Sequence, residues 1–523
     1  MLETIFTTDD GEVALIDCMP PRDDCLDVVR LVEGRRGRVA METEIIVRFD
    51  YGRTVPWVRQ TTAGWTAVAG PDALQLVTPV GLQGVDRRTV GTFSVAAGER
   101  VPFVLSWQPA NEPWKHSPEA HDAVERTEQW WRAWSDRCRA VEPWTEDVRS
   151  SLIVLKGLTY HPTGGLVAAA TTSLPEAFGG ERNWDYRFCW LRDATFTLIA
   201  LLDAGFDEEA VAWREWLLRA VAGDPSVLQI MYGLAGERRL SEQELPWLPG
   251  YLGARPVRIG NAACEQFQLD VYGEVLDCLF QASVTGHGAP GDAWALQRSL
   301  LNFLEGAWRE PDEGIWEVRG ERRQFTHSKV MAWVAVDRGI AGAERFGLEG
   351  PVDRWRQLRD DIKTWILREC VDDRGVLVQH AGATELDASL LTVPLVGFLP
   401  ADDPRVVATI DAIQRELTEE GFVLRYRTRE SLDGLPPGEG AFLLCTFWLV
   451  DCLHLLGRTE EATALFERLL ALRNDVGLLP EQIEPSTGRF LGNVPQAFSH
   501  TALVNSATAL SIGHGARTRA AGT

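Results

Sequence analysis

The stretch AFLLCTFWLVDCLHLLGRTEEATALFERLL, residues 441–470, decides the fold. Phe442, Cys445, Leu449, Cys452 and Leu456 recur at three- and four-residue spacing, the pattern of one buried helix face. Gly457-Arg458 leaves room only for a tight reversal, and Thr459 followed by Glu460 and Glu461 marks a fresh helix start. The segment reads as a helical hairpin, 441–456 against 459–473.

The same pattern recurs outward from this hairpin. Helical segments are expected near 145–160, 190–204, 207–221, 268–285, 291–308, 326–345, 352–369, 387–394, 403–419 and 499–514, with Asp403-Pro404 as cap and first turn. The connections alternate in length. Short ones fall at Gly205-Phe206, 286–290, 346–351, 395–402 and Gly457-Arg458. Long ones fall at 161–189, 222–267, 309–325, 370–386, 420–440 and 474–498. An up-and-down ring of six helix pairs places every long connection at one mouth, so the reading is an (α/α)6 barrel with its site on that rim.

Ahead of the barrel the period changes to two. Val101, Phe103, Leu105 and Trp107 share one strand face, as do Ile45, Val47 and Phe49, with Pro and Gly between the runs. The expected organisation is an antiparallel β-sandwich over 1–112 and a helical linker over 113–143. The barrel follows over 144–516, with a tail at 517–523.

Composition narrows the function. A formal charge of −23 argues against nucleic acid or an anionic membrane as partner, since both need basic patches. The nine cysteines are scattered without metal-type spacing and read as core side chains in a reducing compartment. No signal-peptide pattern and no membrane-length apolar run is found, so a cytoplasmic protein is expected. Neither a dinucleotide fingerprint nor a phosphate loop occurs, and no cofactor or metal is expected. Oligomeric state is not legible. The twenty tryptophans offer stacking surface for sugars, although most serve the core of a helical protein.

The long loops gather carboxylates, arginines and aromatics: Asn183–Asp193, Gly253–Asn261, Asp312–Gly320, Arg425-Tyr426, Gly438–Gly440 and Leu479–Ile483. A neutral sugar is held by such a set, its rings against Trp and Tyr and its hydroxyls on charged groups. Cleaving a glycosidic bond takes a proton donor and an opposed carboxylate, about 6.5–9.5 Å apart when a water attacks between them. Glu317 and Glu481 come from the third and sixth loops of a six-pair ring and can face each other across the mouth. In this reading Glu317 is the general acid, desolvated beside Trp316, and Glu481 the general base.

The segments NWDYRFCWLRDAT, PVRIGNAACEQFQLDVYGEVLD, GIWEVRGERRQFTHSKVMAWVAVDR, DGLPPGEGAFLLCTFWLVD and GLLPEQIEPSTG resemble those of glycoside hydrolase family 15, in its bacterial trehalase and glucoamylase-like branch. The resemblance spans nearly the whole chain. It implies that Glu317 matches the acid and Glu481 the base. Arg192 and Asp193 match the pair that grips hydroxyls of the terminal glucose, and Arg425 a further hydroxyl-binding arginine. Tyr186 and Trp190 match aromatics beside the reacting ring, and Trp316 one next to the acid. Arg255 and Glu439 are added as substrate-binding candidates. The alternatives are a helix cap for Arg192-Asp193 and a core role for Trp190.

Two departures shape the expectation. Members of this branch carry strands ahead of the point where this chain begins, so a shortened sandwich or a misassigned start is expected. Val318 follows the acid where fungal glucoamylases carry a second glutamate, which leans toward a small disaccharide. The expected activity is inverting exo-hydrolysis of a small α-glucoside, trehalose first, with isomaltose, maltose or α-glucan as alternatives. Phosphorolysis and non-catalytic carbohydrate binding are the competing classes, and neither needs both Glu317 and Glu481.

Overall fold

The computed structural model describes residues 1–21, 26–62, 64–115, 117–428 and 433–512. The chain divides into two compact units, Met1–Asp136 and Arg137–Thr523.

In the first unit, nine strands pair antiparallel: β1 (Leu2–Thr8), β2 (Gly11–Cys18), β3 (Leu26–Ile45), β4 (Trp57–Thr61), β5 (Gly64–Ala69), β6 (Asp72–Val77), β7 (Leu82–Val85), β8 (Arg88–Ala96) and β9 (Arg100–Pro109). The long β3 pairs with β2 and β9 along its first half and with β8 along its second. The sheet thus branches, running β1-β2-β3-β9-β6-β5-β4 with β8 and β7 off the path. Val13, Val32, Val39, Leu76, Val95 and Phe103 form the core of this sandwich. Helix α1 (Ala120–Ser135) lays Ala120, Ala123 and Val124 on Cys18, Val29, Leu31 and Val104. The linker expected over 113–143 is therefore split, and its helix belongs to the sheet unit because that apolar stripe needs a partner.

The second unit holds twelve α-helices among the described residues: α2 (Thr145–Leu158), α3 (Ala194–Asp203), α4 (Asp207–Val221), α5 (Asp270–Val284), α6 (Trp294–Ala307), α7 (Thr326–Phe346), α8 (Val352–Glu369), α9 (Thr392–Leu395), α10 (Pro404–Glu416), α11 (Leu443–Leu455), α12 (Thr459–Leu470) and α13 (Ala497–Ile512). The odd-numbered helices from α3 to α13 pack each on the next, and α13 closes back on α3. The even-numbered ones lie outside them. This is the (α/α)6 barrel. The sequence explains the two layers. Inner α5 is buried on every face from Asp270 to Ala282, whereas outer α8 buries only Trp355, Leu358, Ile362 and Ile366. Each such side chain contributes about 1.5–3 kcal/mol on burial.

Helix starts follow their local chemistry. Asp403 caps α10 by accepting from the Arg405 N–H at 2.9 Å, with Pro404 in the first turn. The ninth helix is a single turn continuing a 3-10 segment, Ala388–Leu391. The last residues expected in the final helix, 513–514, and the tail at 517–523 lie outside the described residues. Among the described residues no helix is long and apolar enough to cross a membrane.

Candidate active site

Several of the long connections are stitched to one another by short strands and isolated bridges. Cys189–Trp190 of the first loop pairs with Met231–Tyr232 of the second. Ala441–Phe442, Gln482–Ile483 and Phe490–Leu491 join the fifth loop to the sixth. The 189–190 pairing corrects one expectation: the helix read from 190 begins at Ala194. The extended backbone is held by the Leu191 N–H donating to the Ile230 carbonyl at 2.9 Å. That delay leaves Trp190, Arg192 and Asp193 ahead of the helix.

Glu317 sits in a tight double turn. Its N–H donates to the Gly314 carbonyl at 3.1 Å and the Val318 N–H to the Glu313 carbonyl at 3.2 Å. Its own φ is +57°, a left-handed conformation that costs a non-glycine residue about 1 kcal/mol. The carboxylate Oε1 accepts from the Trp190 indole N–H at 2.8 Å and from Arg192 Nη1 at 3.0 Å. Both bonds fall on Oε1.

Glu481 precedes the Gln482–Ile483 strand and is 1% exposed. Its N–H donates to the Asn493 carbonyl at 3.0 Å, which fixes its backbone. Oε1 accepts from the Tyr186 hydroxyl at 2.7 Å, and Oε2 has no partner among the described residues. Gly492, at φ +69°, lies against it: a Cβ there would stand 2.3 Å from Oε2 and 2.9 Å from the Glu481 Cβ, so a side chain at this position would displace the carboxylate.

Tyr186 and Trp190 meet edge to face with centroids 5.2 Å apart. A continuous relay therefore runs from Glu481 to Tyr186, to Trp190, to Glu317. The two carboxylates stand at its ends, one on the third loop and one on the sixth. Trp190 is deep in the protein, but its N–H serves Glu317, so the core alternative describes its burial and not its polar contact.

Arg192 also donates to the Ile315 carbonyl at 2.9 Å and lies 3.3 Å from Asp193. Burial works against its charge, but Glu317 and Asp193 outweigh it and hold the guanidinium protonated more firmly than usual. Asp193 stands at the N-cap of α3, yet its side chain accepts no helix N–H. Burial pushes this carboxyl up to about 6 despite Arg192. The helix-cap alternative is thus not what the side chain does.

Trp316, next to Glu317 in the chain, is 8% exposed. Its N–H donates to Asp387 at 2.9 Å and its ring packs on Phe442 and Trp448. The Arg425 guanidinium lies 5.6 Å from that ring. Arg425 is also gripped by Glu439, 3.1 Å from its Nε, and by Glu176, 3.2 Å from its Nη2. Glu439 in turn reaches Arg182, which pairs with Asp433 at 2.7 Å. Glu439 is therefore first a partner of arginines.

Arg255 is not brought into this network. It is exposed, while Arg258, three residues on, is buried and lies over Trp184 at 4.6 Å. Sequence reading also passed over Glu176, Asp433, Arg182, Asp387 and Gly492. Nothing in their spacing marks them, because each acts through a neighbour distant in the chain.

An (α/α)6 barrel with two carboxylates joined by aromatics and flanked by buried arginines is the arrangement of a sugar-cleaving hydrolase. Comparison with known proteins gives the particular family. Residues 146–508 match the model for "Glycosyl hydrolases family 15". A trehalase of Mycobacterium tuberculosis is 44% identical over 91% of this chain and 72% of its own. A trehalase of Thermoplasma volcanium is 34% identical over 92% and 77%. A bacterial glucoamylase solved with acarbose shares the fold at a TM-score of 0.76 and 13% identity, over 98% of this chain and 84% of its own. The chain belongs to glycosyl hydrolase family 15 and is a glycoside hydrolase.

Proposed function

We propose that this chain hydrolyses trehalose with inversion, releasing one glucose as the β-anomer. Glu317 donates a proton to the glycosidic oxygen as the bond to the anomeric carbon lengthens. Glu481 takes a proton from a water that attacks the opposite face of the ring. The observation that carries this is the Glu481–Tyr186–Trp190–Glu317 relay, which links a carboxylate of the sixth loop to one of the third through two aromatic side chains. Arg192 and Asp193 supply donor and acceptor for sugar hydroxyls beside the acid, and Arg425 orders the base side. Phosphate as nucleophile would make Glu481 superfluous.

The substrate rests on two supports. The trehalases above are similar along most of this chain. Val318, beside the acid, is buried and gives no side-chain hydrogen bond to a sugar further out, which suits a disaccharide. The eight described cysteines are all free, in keeping with a cytoplasmic enzyme.

Initial rates of glucose release from trehalose, maltose, isomaltose and starch test the substrate. Trehalose is expected to give a kcat/KM roughly tenfold or more above the others. Starch or maltose turned over faster than trehalose would move the assignment to an α-glucan glucohydrolase, and turnover requiring phosphate as co-substrate would move it to a phosphorylase.

A further inference from the structure

The turn that carries the acid is held from outside itself. Glu317 has φ at +57°, a conformation that a residue with a side chain keeps only where its surroundings fix it. The N–H groups of Glu317 and Val318 close the turn on the carbonyls of Gly314 and Glu313. The carbonyls of Glu317 and Val318 take no part in that closure. One side chain of the second long loop serves both: Gln266 Nε2 lies 3.2 Å from the Glu317 oxygen and 3.0 Å from the Val318 oxygen.

Chemistry and neighbours fix this amide. Two carbonyl oxygens can only accept, so the NH2 end of Gln266 faces them. The other end is latched, because Gln266 Oε1 accepts from Nε2 of the buried Gln268 at 3.1 Å. The backbone is set as well: the Gln266 N–H donates to the Ala263 carbonyl at 3.1 Å. The residues that follow are tied to the same acid-bearing turn. The Phe267 N–H donates to Glu313 Oε2 at 2.9 Å, the Glu313 N–H returns to the Phe267 carbonyl at 3.2 Å, and the Leu269 N–H donates to Asp312 at 2.9 Å. The start of the turn is thus anchored by backbone bonds, and its end, where the acid sits, by the Gln266 side chain.

We propose that Gln266 is a positioning residue for the proton donor: by donating to the carbonyls of both Glu317 and Val318 it holds the acid in its left-handed turn. The proposal rests on Glu317 as general acid. Trp190 and Arg192 orient the carboxylate by bonding Oε1, but neither bonds the Glu317 backbone. Without the Gln266 amide the two carbonyls lose their donor, and the turn can relax toward negative φ. That change redirects the Cα–Cβ bond of Glu317 and moves its carboxyl relative to the glycosidic oxygen. A misplacement of about 1 Å costs up to about 10²-fold in rate. Glu481, held on the sixth loop by Asn493 and Tyr186, does not depend on this amide. The effect should therefore fall on leaving-group protonation and spare the attack of water.

The test compares Gln266→Met with the wild type on trehalose, whose leaving glucose needs a proton, and on α-glucosyl fluoride, whose leaving group needs none. Methionine keeps the length of the side chain and removes both donors. The kcat on trehalose should fall about 10- to 10²-fold with KM within a few-fold, while the fluoride is turned over within about threefold of wild type. Equal loss on the two substrates, or a trehalose kcat within about threefold of wild type, overturns the proposal. Glu317→Gln assayed alongside keeps the two claims apart: equal loss on both substrates in that variant would overturn the acid assignment itself. Should Gln266→Met not fold, Gln268→Met decides, since it unlatches the Gln266 amide without removing its donors. The same split is then expected at about threefold to tenfold, and unchanged relative rates on the two substrates overturn the proposal.

Discussion

Glu481→Gln is expected to lower kcat for trehalose by about 10²–10⁴-fold, the range that a general base supplies. The amide is nearly isosteric, and its oxygen can still accept from the Tyr186 hydroxyl that now bonds Oε1 at 2.7 Å. The site should therefore keep its shape and its sugar affinity. Glucose binding followed by calorimetry, with turnover measured on the same preparation, separates the two terms. Loss of turnover with binding within a few-fold of wild type fits the assignment, and near-normal kcat excludes it.

Glu317→Gln should lose hydrolysis of trehalose by a similar factor, since the leaving glucose then departs as an unprotonated alkoxide. The Trp190 and Arg192 bonds to Oε1 can pass to the amide oxygen, so the loop should hold. The informative control is a substrate whose leaving group needs no proton. Glucosyl fluoride should be cleaved by Glu317→Gln within about tenfold of the wild-type rate. Equal loss on trehalose and on the fluoride would mean that Glu317 does something other than donate a proton.

Much of the fold was legible because helical burial leaves a strict period. All twelve segments expected in the barrel have a helical counterpart, and their ends differ by a few residues. The largest difference, Ala194 in place of residue 190, falls where a tertiary strand pairing with Met231–Tyr232 overrides the local helical pattern. The helix Ala120–Ser135 was read as part of a linker, because nothing local says which surface its stripe will find.

The site was legible where a residue's chemistry shows on its own. Glu317, Glu481, Arg192 and Tyr186 lie in segments dense with chemistry-bearing residues and come together at one mouth. Glu176 was missed because it works through partners more than two hundred residues away in the chain, such as Arg425. Trp316 is the opposite case. Adjacent in sequence to Glu317, it gives its indole N–H to Asp387, while the indole N–H that reaches Glu317 comes from Trp190.

The central claim is that two opposed carboxylates leave room for one water, and the anomeric form of the first product reports on it directly. Proton NMR of a fresh trehalose digest, recorded before mutarotation equilibrates the products, should show β-glucose appearing alongside the α-glucose set free as leaving group, in equal amounts. A digest that yields α-glucose alone in its first minutes would mean retention and would contradict the account.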